Sequence, residues 1–163
     1  MRILGIDPGL GRLGWGIVEE KGSTVKAVAF DCIETPPKTP DPKRLLQIHK
    51  ELLRLIRQYQ PSIVAVEELF FSRNVTTAFM VGQARGVVLL ASAEADLPVV
   101  THSPNQVKLA VTGYGKADKK QIAQMVKVIL CLQQLPRLDD TTDALAIALT
   151  EVFSRKMGDK LRK

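Results

Sequence analysis

The sequence predicts a single α/β domain built on a mixed sheet. Three observations predict it. Short β-branched apolar runs open the chain, joined by glycine-rich links of hairpin length. Further strand-like runs then alternate with segments of helical periodicity, which is the order parallel pairing requires. At 163 residues the chain is long enough for one domain with a substantial core.

The first run carries Ile3, Leu4 and Ile6 and ends in Asp7. Pro8 and Gly9 then impose a turn, since proline has no N–H to donate and glycine accepts a positive φ. Asp7 therefore sits where a buried strand meets a tight turn. An ionised carboxylate at such a place either caps the turn or holds a metal or phosphate. Residues 13–18 and 25–33 read as two more strands, antiparallel through the links at 9–12 and 21–23. A proline-rich loop, 35–42, follows.

From 43 to 59 the pattern becomes helical: Leu45, Ile48, Leu52, Leu55 and Ile56 recur at spacings of three and four. His49 within it takes a surface or core-edge role. Pro61 stops this helix. The near-continuous apolar run at 62–68 predicts a strand buried on both faces, again ending in carboxylates. Glu67 and Glu68 point to opposite faces, so only one of them enters a site. Residues 75–95 form a long helix whose small and large residues suit close packing. A strand is predicted at 97–101 and a helix at 104–111, with Ser103 as cap and Pro104 in its first turn. After the turn Gly113-Tyr114-Gly115, Asp118 caps a helix over 119–132. The last helix begins at Asp139-Asp140-Thr141-Thr142-Asp143 and runs to about residue 155. It is rich in alanine and leucine, with acids at the positive end of its dipole. Three Asp in five residues is more than capping needs. The fold class is thus α/β, a five-stranded mixed sheet flanked by helices, with residues 1–155 as one domain and 156–163 as a flexible basic tail.

Composition narrows the function. The hydrophobic fraction of 45% and charged fraction of 25% are those of a globular protein. The best apolar run, 87–91, is far too short for a bilayer, and Asp7 interrupts the only candidate for a leader. Two cysteines, Cys32 and Cys131, make neither a disulfide framework nor a zinc site and suit a reducing cytoplasm. The net charge of +6 favours a polyanionic partner, nucleic acid or a membrane surface. Lys116, Lys119, Lys120 and Lys127 crowd one region, beside the Gly-Tyr-Gly turn.

The acids complete the pattern. Asp7 and one of Glu67 or Glu68 end strands, and Asp140 and Asp143 are three apart on one helix. Sites in α/β sheets gather at the carboxyl ends of strands. Clustered carboxylates repel unless cations neutralise them, and oxygen-only donors favour Mg²⁺ or Mn²⁺ over zinc. An acidic metal site in a basic chain fits a nuclease, with metal-activated water and lysines on phosphates. Phe70 and Phe71 follow the glutamate strand; they either stack on unpaired bases or pack in the core. Arg73 and Asn74 suit backbone or base contacts.

The stretches Ile3-Leu4-Gly5-Ile6-Asp7-Pro8-Gly9, Ala65-Val66-Glu67, Gly82-Gln83-Ala84-Arg85-Gly86, Gln106-Val107-Lys108 and Asp140-Thr141-Thr142-Asp143-Ala144-Leu145-Ala146-Ile147-Ala148 resemble the RuvC Holliday-junction resolvase family. They span nearly the whole chain in the family's order. The resemblance implies an RNase H-like fold, a homodimer through the 75–95 helix, and Mg²⁺-dependent paired nicking of four-way DNA junctions. Mn²⁺ is implied as a substitute, and two ions per subunit. It implies Asp7, Glu67, Asp140 and Asp143 as the catalytic acids and metal ligands, which selects Glu67 over Glu68 and leaves Asp139 as a cap. Phe70 and Phe71 match the family's aromatics at the junction. Lys108 and Lys119 match its basic positions near DNA, with Lys119 assisting catalysis. Lys116 and Lys120 make this region more basic than in many relatives. A RuvA–RuvB branch-migration complex is the implied partner.

Two other classes share parts of the pattern. Actin- and sugar-kinase-like ATPases also use a Gly-Ile-Asp first strand, though in a longer two-lobed chain. A non-catalytic junction binder would keep the lysines, but four clustered acids would then cost stability without return.

Overall fold

The structure is a computed structural model that describes residues 1–68 and 75–161. The elements run β1 (Arg2–Asp7), β2 (Arg12–Lys21), β3 (Thr24–Glu34), α1 (Asp41–Tyr59), β4 (Ile63–Glu67), α2 (Val75–Glu94), β5 (Val99–His102), α3 (Pro104–Thr112), α4 (Lys119–Ile129) and α5 (Asp139–Leu161). The five strands lie in the order β3-β2-β1-β4-β5. The first three are antiparallel neighbours, while β4 and β5 extend the sheet in parallel.

Strand alternation divides the core into two layers. Ile3 on β1 and Ile63 and Ala65 on β4 face α3, α4 and α5, meeting Val107, Val126, Leu145 and Ile147. Leu4 and Ile6 face the other way, onto Ile48, Leu52 and Leu55 of α1 and Val88 and Ala91 of α2. Parallel strands so covered must be apolar on both faces, which is why β4 lacks a polar residue until Glu67.

Helix α5 lies unusually close to the sheet. A Cβ on Gly5 would collide with the carbonyl oxygen of Ala144, and one on Gly14 with that of Asp140. The two glycines make a floor on which the helix backbone rests. Residues 144–149 are buried all round, and Leu145, Ile147 and Leu149 contribute roughly 1.5–3 kcal/mol each through burial. The start of α5 is thereby fixed against the ends of β1 and β2.

Several boundaries differ from expectation. Helix α1 begins at Asp41, with Pro42 in its first turn where a missing N–H costs nothing. Strand β5 begins at Val99, because the Leu97 N–H still bonds to Ser92 in the exit turn of α2. Helix α4 stops at Ile129, after which Cys131 adopts a left-handed φ of 51°. Helix α5 continues through Leu161, so the boundary expected at 155 falls inside it; Lys156 in that extension pairs with Glu20 at 3.2 Å. Asp139 is the first residue of α5, inside the first turn. Ser103 and Asp118 cap α3 and α4 as expected, each in a capping box with a glutamine three residues on.

Candidate active site

Ile6 pairs with Val66 in the parallel register, so Asp7 and Glu67 come next on neighbouring strands. Both project on the α5 side of the sheet. The start of α5, seated on Gly14, brings Asp143 over them. These three acids line one cleft of about 410 Å³, together with Lys108 of α3, Asp118 and Lys119 at the start of α4, and an apolar wall of Val107, Ile122 and Ile147. Glu68 is exposed and outside this lining, as strand alternation requires.

The cleft sets the acids against one another. Burial, then the charges of Asp143, Glu67 and Asp140, push the Asp7 carboxyl up to about 7, with Lys119 opposing. Glu67 is raised by burial and by Asp143. Asp143 is raised by burial despite its contact with Lys119, whose Nζ donates to Oδ2 at 3.0 Å. The same contact holds the Lys119 ammonium above its ordinary pKa. A site whose acids resist ionisation through burial and mutual repulsion is one that gains by binding a cation.

Asp140 departs from the simple picture. It lies in the first turn of α5, three residues before Asp143, and its charge reaches Asp7. Yet it is absent from the cleft lining and pairs instead with Arg12, whose Nε lies 3.4 Å from Oδ2. Sequence reasoning missed Arg12. The available signal was spacing: Arg12 lies two residues before Gly14 and so on the same strand face.

The donor chemistry fits a hard divalent ion. Asp7, Glu67 and Asp143 offer only carboxylate oxygens in a half-buried, repulsive cleft, and Asp140 stands beside it. Among the described residues no three His, Cys, Asp or Glu side chains stand close enough together to hold a metal ion as they are placed here. The Lys119 ammonium partly neutralises the acids instead.

Of the other expected DNA contacts, Lys108 lines the cleft, while Lys116 and Lys120 are exposed and outside its lining. Phe70, Phe71, Arg73 and Asn74 lie outside the described residues. His49 bridges helices, its Nε2 being 3.2 Å from Glu94. Among the described residues no helix is long and apolar enough to cross a membrane.

Comparison with known proteins agrees with this geometry. The family model for the crossover junction endodeoxyribonuclease RuvC matches residues 3–151. The RuvC of Desulfitobacterium hafniense is 56% identical over 161 residues, covering 99% of this chain and 98% of its own. The structure of Thermus thermophilus RuvC in complex with Holliday junction substrate superposes with a TM-score of 0.92 at 43% identity, covering 97% of this chain and 96% of that one. The yeast mitochondrial Holliday junction resolvase Ydc2, at 16% identity and a TM-score of 0.72 over 99% of this chain and 81% of its own, shares the fold. The architecture is that of the RNase H-like resolvases.

Proposed function

The chain belongs to the RuvC family of crossover junction endodeoxyribonucleases, and we propose that it resolves four-way DNA junctions by paired nicks using divalent ions held by Asp7, Glu67, Asp140 and Asp143. Family membership sets aside the ATPase alternative. The observation that carries the reading is that Asp7, Glu67 and Asp143 line one cleft, where burial and then the neighbouring acids push the Asp7 carboxyl up to about 7. The Thermus thermophilus relative, solved with a Holliday junction, supports the choice of substrate.

Asp7, Glu67, Asp140 and Asp143 would hold Mg²⁺, with Mn²⁺ able to substitute and two ions per subunit, which would supply a lowered pKa for the attacking water and charge stabilisation for the departing 3′ oxygen. The chain's own residues do the rest. Asp7, whose carboxyl is coupled to Asp143, Glu67 and Asp140, would be the central ligand. Lys119 neutralises charge building on the phosphate, because its ammonium already sits at the cleft mouth. Lys108 on the cleft wall holds the strand, and Lys116 and Lys120 attract the flanking backbone. Phe70 and Phe71, which match the family's aromatics, complete the contact at the crossover, and Arg73 and Asn74 suit backbone or base contacts beside them.

A homodimer through α2 places two sites on opposed strands of a two-fold junction. The setting is the bacterial cytoplasm, with a RuvA–RuvB branch-migration complex as partner.

The test is a labelled four-way junction and a plain duplex, each incubated with Mg²⁺ and with chelator. Symmetric nicks on the junction alone, lost with chelator, are the expected result. Asp7→Asn is expected to bind the junction and leave it uncut. Cutting of duplex and junction alike, or near-normal nicking by Asp7→Asn, would refute the assignment.

A further inference from the structure

Arg12 has no part in the site as the family pattern describes it, yet it holds one of the four acids. It is the first residue of β2, on the face that carries Gly14. The Asp140 backbone rests on Gly14, so the side chain of Asp140 emerges within reach of the guanidinium. The pair is open to water: Arg12 is 54% exposed and Asp140 25%. Arg12 also borders a shallow groove of about 450 Å³ with Gly11, Glu34, Thr35, Pro36 and Pro37, where the Glu34 carboxylate is already paired with Arg137 at 3.2 Å, which leaves room beside Arg12 for a DNA backbone.

We propose that Arg12 is a positioning residue that holds Asp140 outside the cleft and releases it when DNA phosphate takes the guanidinium. The inference rests on the junction-resolving reading given above. Its consequence is coupling: substrate binding removes a competitor for Asp140, and so tightens divalent-cation binding at the site. The latch is suited to this because it is weak. An exposed ion pair withholds an acid only several-fold. A phosphate accepts two parallel N–H bonds from a guanidinium and outcompetes a single carboxylate contact. Because linkage is reciprocal, the bound cation tightens DNA by the same factor.

Two measurements on the full chain decide the matter. Mn²⁺ alone is titrated into wild type, Arg12→Gln and Arg12→Lys, with the free ion followed by electron paramagnetic resonance. Arg12→Gln is expected to bind Mn²⁺ about three- to fivefold more tightly, and Arg12→Lys to stay near wild type. A merely structural role would not strengthen ion binding. Four-way junction affinity is then measured in chelator across a salt series. Arg12→Gln is expected to bind several-fold more weakly, with a salt slope lower by about one.

Unchanged or weaker Mn²⁺ binding by Arg12→Gln overturns the latch. So does absence of Mn²⁺ uptake by wild type and Arg12→Gln alike, since there is then nothing to withhold. An unaltered salt slope overturns the handover to phosphate. If wild type binds no junction at all, the junction-resolving reading fails, while the Mn²⁺ comparison still decides what Arg12 does to Asp140.

Discussion

Lys119 Nζ donates to Asp143 Oδ2 at 3.0 Å across the mouth of the cleft, joining the first turn of α4 to the start of α5. Each end is fixed independently. Asp118 and Gln121 cap α4 in a reciprocal box, and Gly14 seats α5. The ammonium is therefore delivered to the acids by two rigid helix starts. Lys119→Met is expected to reduce single-turnover junction cleavage about 10²- to 10³-fold, the range found when one charge-stabilising group is removed. Junction affinity in chelator is expected to fall only slightly. Equal losses in binding and cleavage would make Lys119 an ordinary phosphate contact.

Asp7 predicts a pH dependence. Its carboxyl titrates at about 7 in the folded protein against an ordinary 3.8, first through burial and then through its acidic neighbours. An acid with a raised folded pKa holds its proton more tightly when folded. Its contribution to stability is full below the ordinary value and is lost as pH climbs to the folded one. The metal-free protein is expected to lose on the order of 4 kcal/mol between pH 4 and pH 8 from this group. Asp7→Asn should flatten the profile and be the more stable protein at pH 8, leaving a smaller slope from Glu67 and Asp143. Denaturant midpoints at the two pH values measure both effects. A variant profile as steep as the wild-type one would assign the slope elsewhere.

The glycine floor under α5 makes a paired prediction. Gly14→Ala forces a methyl group into the Asp140 carbonyl, so helix and strand must part. Overpacking of this kind costs about 1–3 kcal/mol, and cleavage should fall with it because Asp140 and Asp143 are displaced. Gly158 lies in the same helix with nothing within 4 Å of its added Cβ. Gly158→Ala is expected to stabilise by about 0.5–1 kcal/mol and leave cleavage unchanged. Thermal denaturation and a junction assay on the two proteins separate the effects.

Much of this was readable beforehand, and the reasons are specific. Strands β1 and β4 announce themselves as apolar runs broken by a carboxylate, since an acid at the end of a buried strand has few uses. The caps Ser103 and Asp118 are local chemistry and were read correctly. What depended on distant partners was not. The extension of α5 past 155 has Lys156 meeting Glu20 of β2, a contact that periodicity cannot reveal. The end of α4 is marked by Cys131 in a left-handed conformation that glycine or asparagine would normally signal. In the site, residue type and spacing pointed to Asp7, Asp140, Asp143 and one of Glu67 or Glu68, and strand register shows that only Glu67 faces the cleft. The division between cleft and latch was set by Arg12, which carries no motif.

Helix α2 bears on assembly. Ala84, Val88 and Ala91 turn inward and are buried. Phe79 and Leu90, eleven residues apart and so on one stripe, are 66% and 53% exposed, and Gly86 lies between them with open space beside it. A single exposed apolar residue needs no explanation, but a stripe of large side chains around a glycine suits a second helix packed closely against it. If two copies meet here, the contact is isologous, and each Leu90 is buried once per subunit. Leu90→Glu would bury a carboxylate at that seam, a cost large enough to dissociate a modest interface. Wild type is expected to sediment as a dimer and Leu90→Glu as a folded monomer with unchanged far-ultraviolet circular dichroism. Paired nicking requires two sites on one junction, so the monomer should leave mostly singly nicked product at low protein concentration. A variant that stays dimeric would place the interface on another face of the molecule.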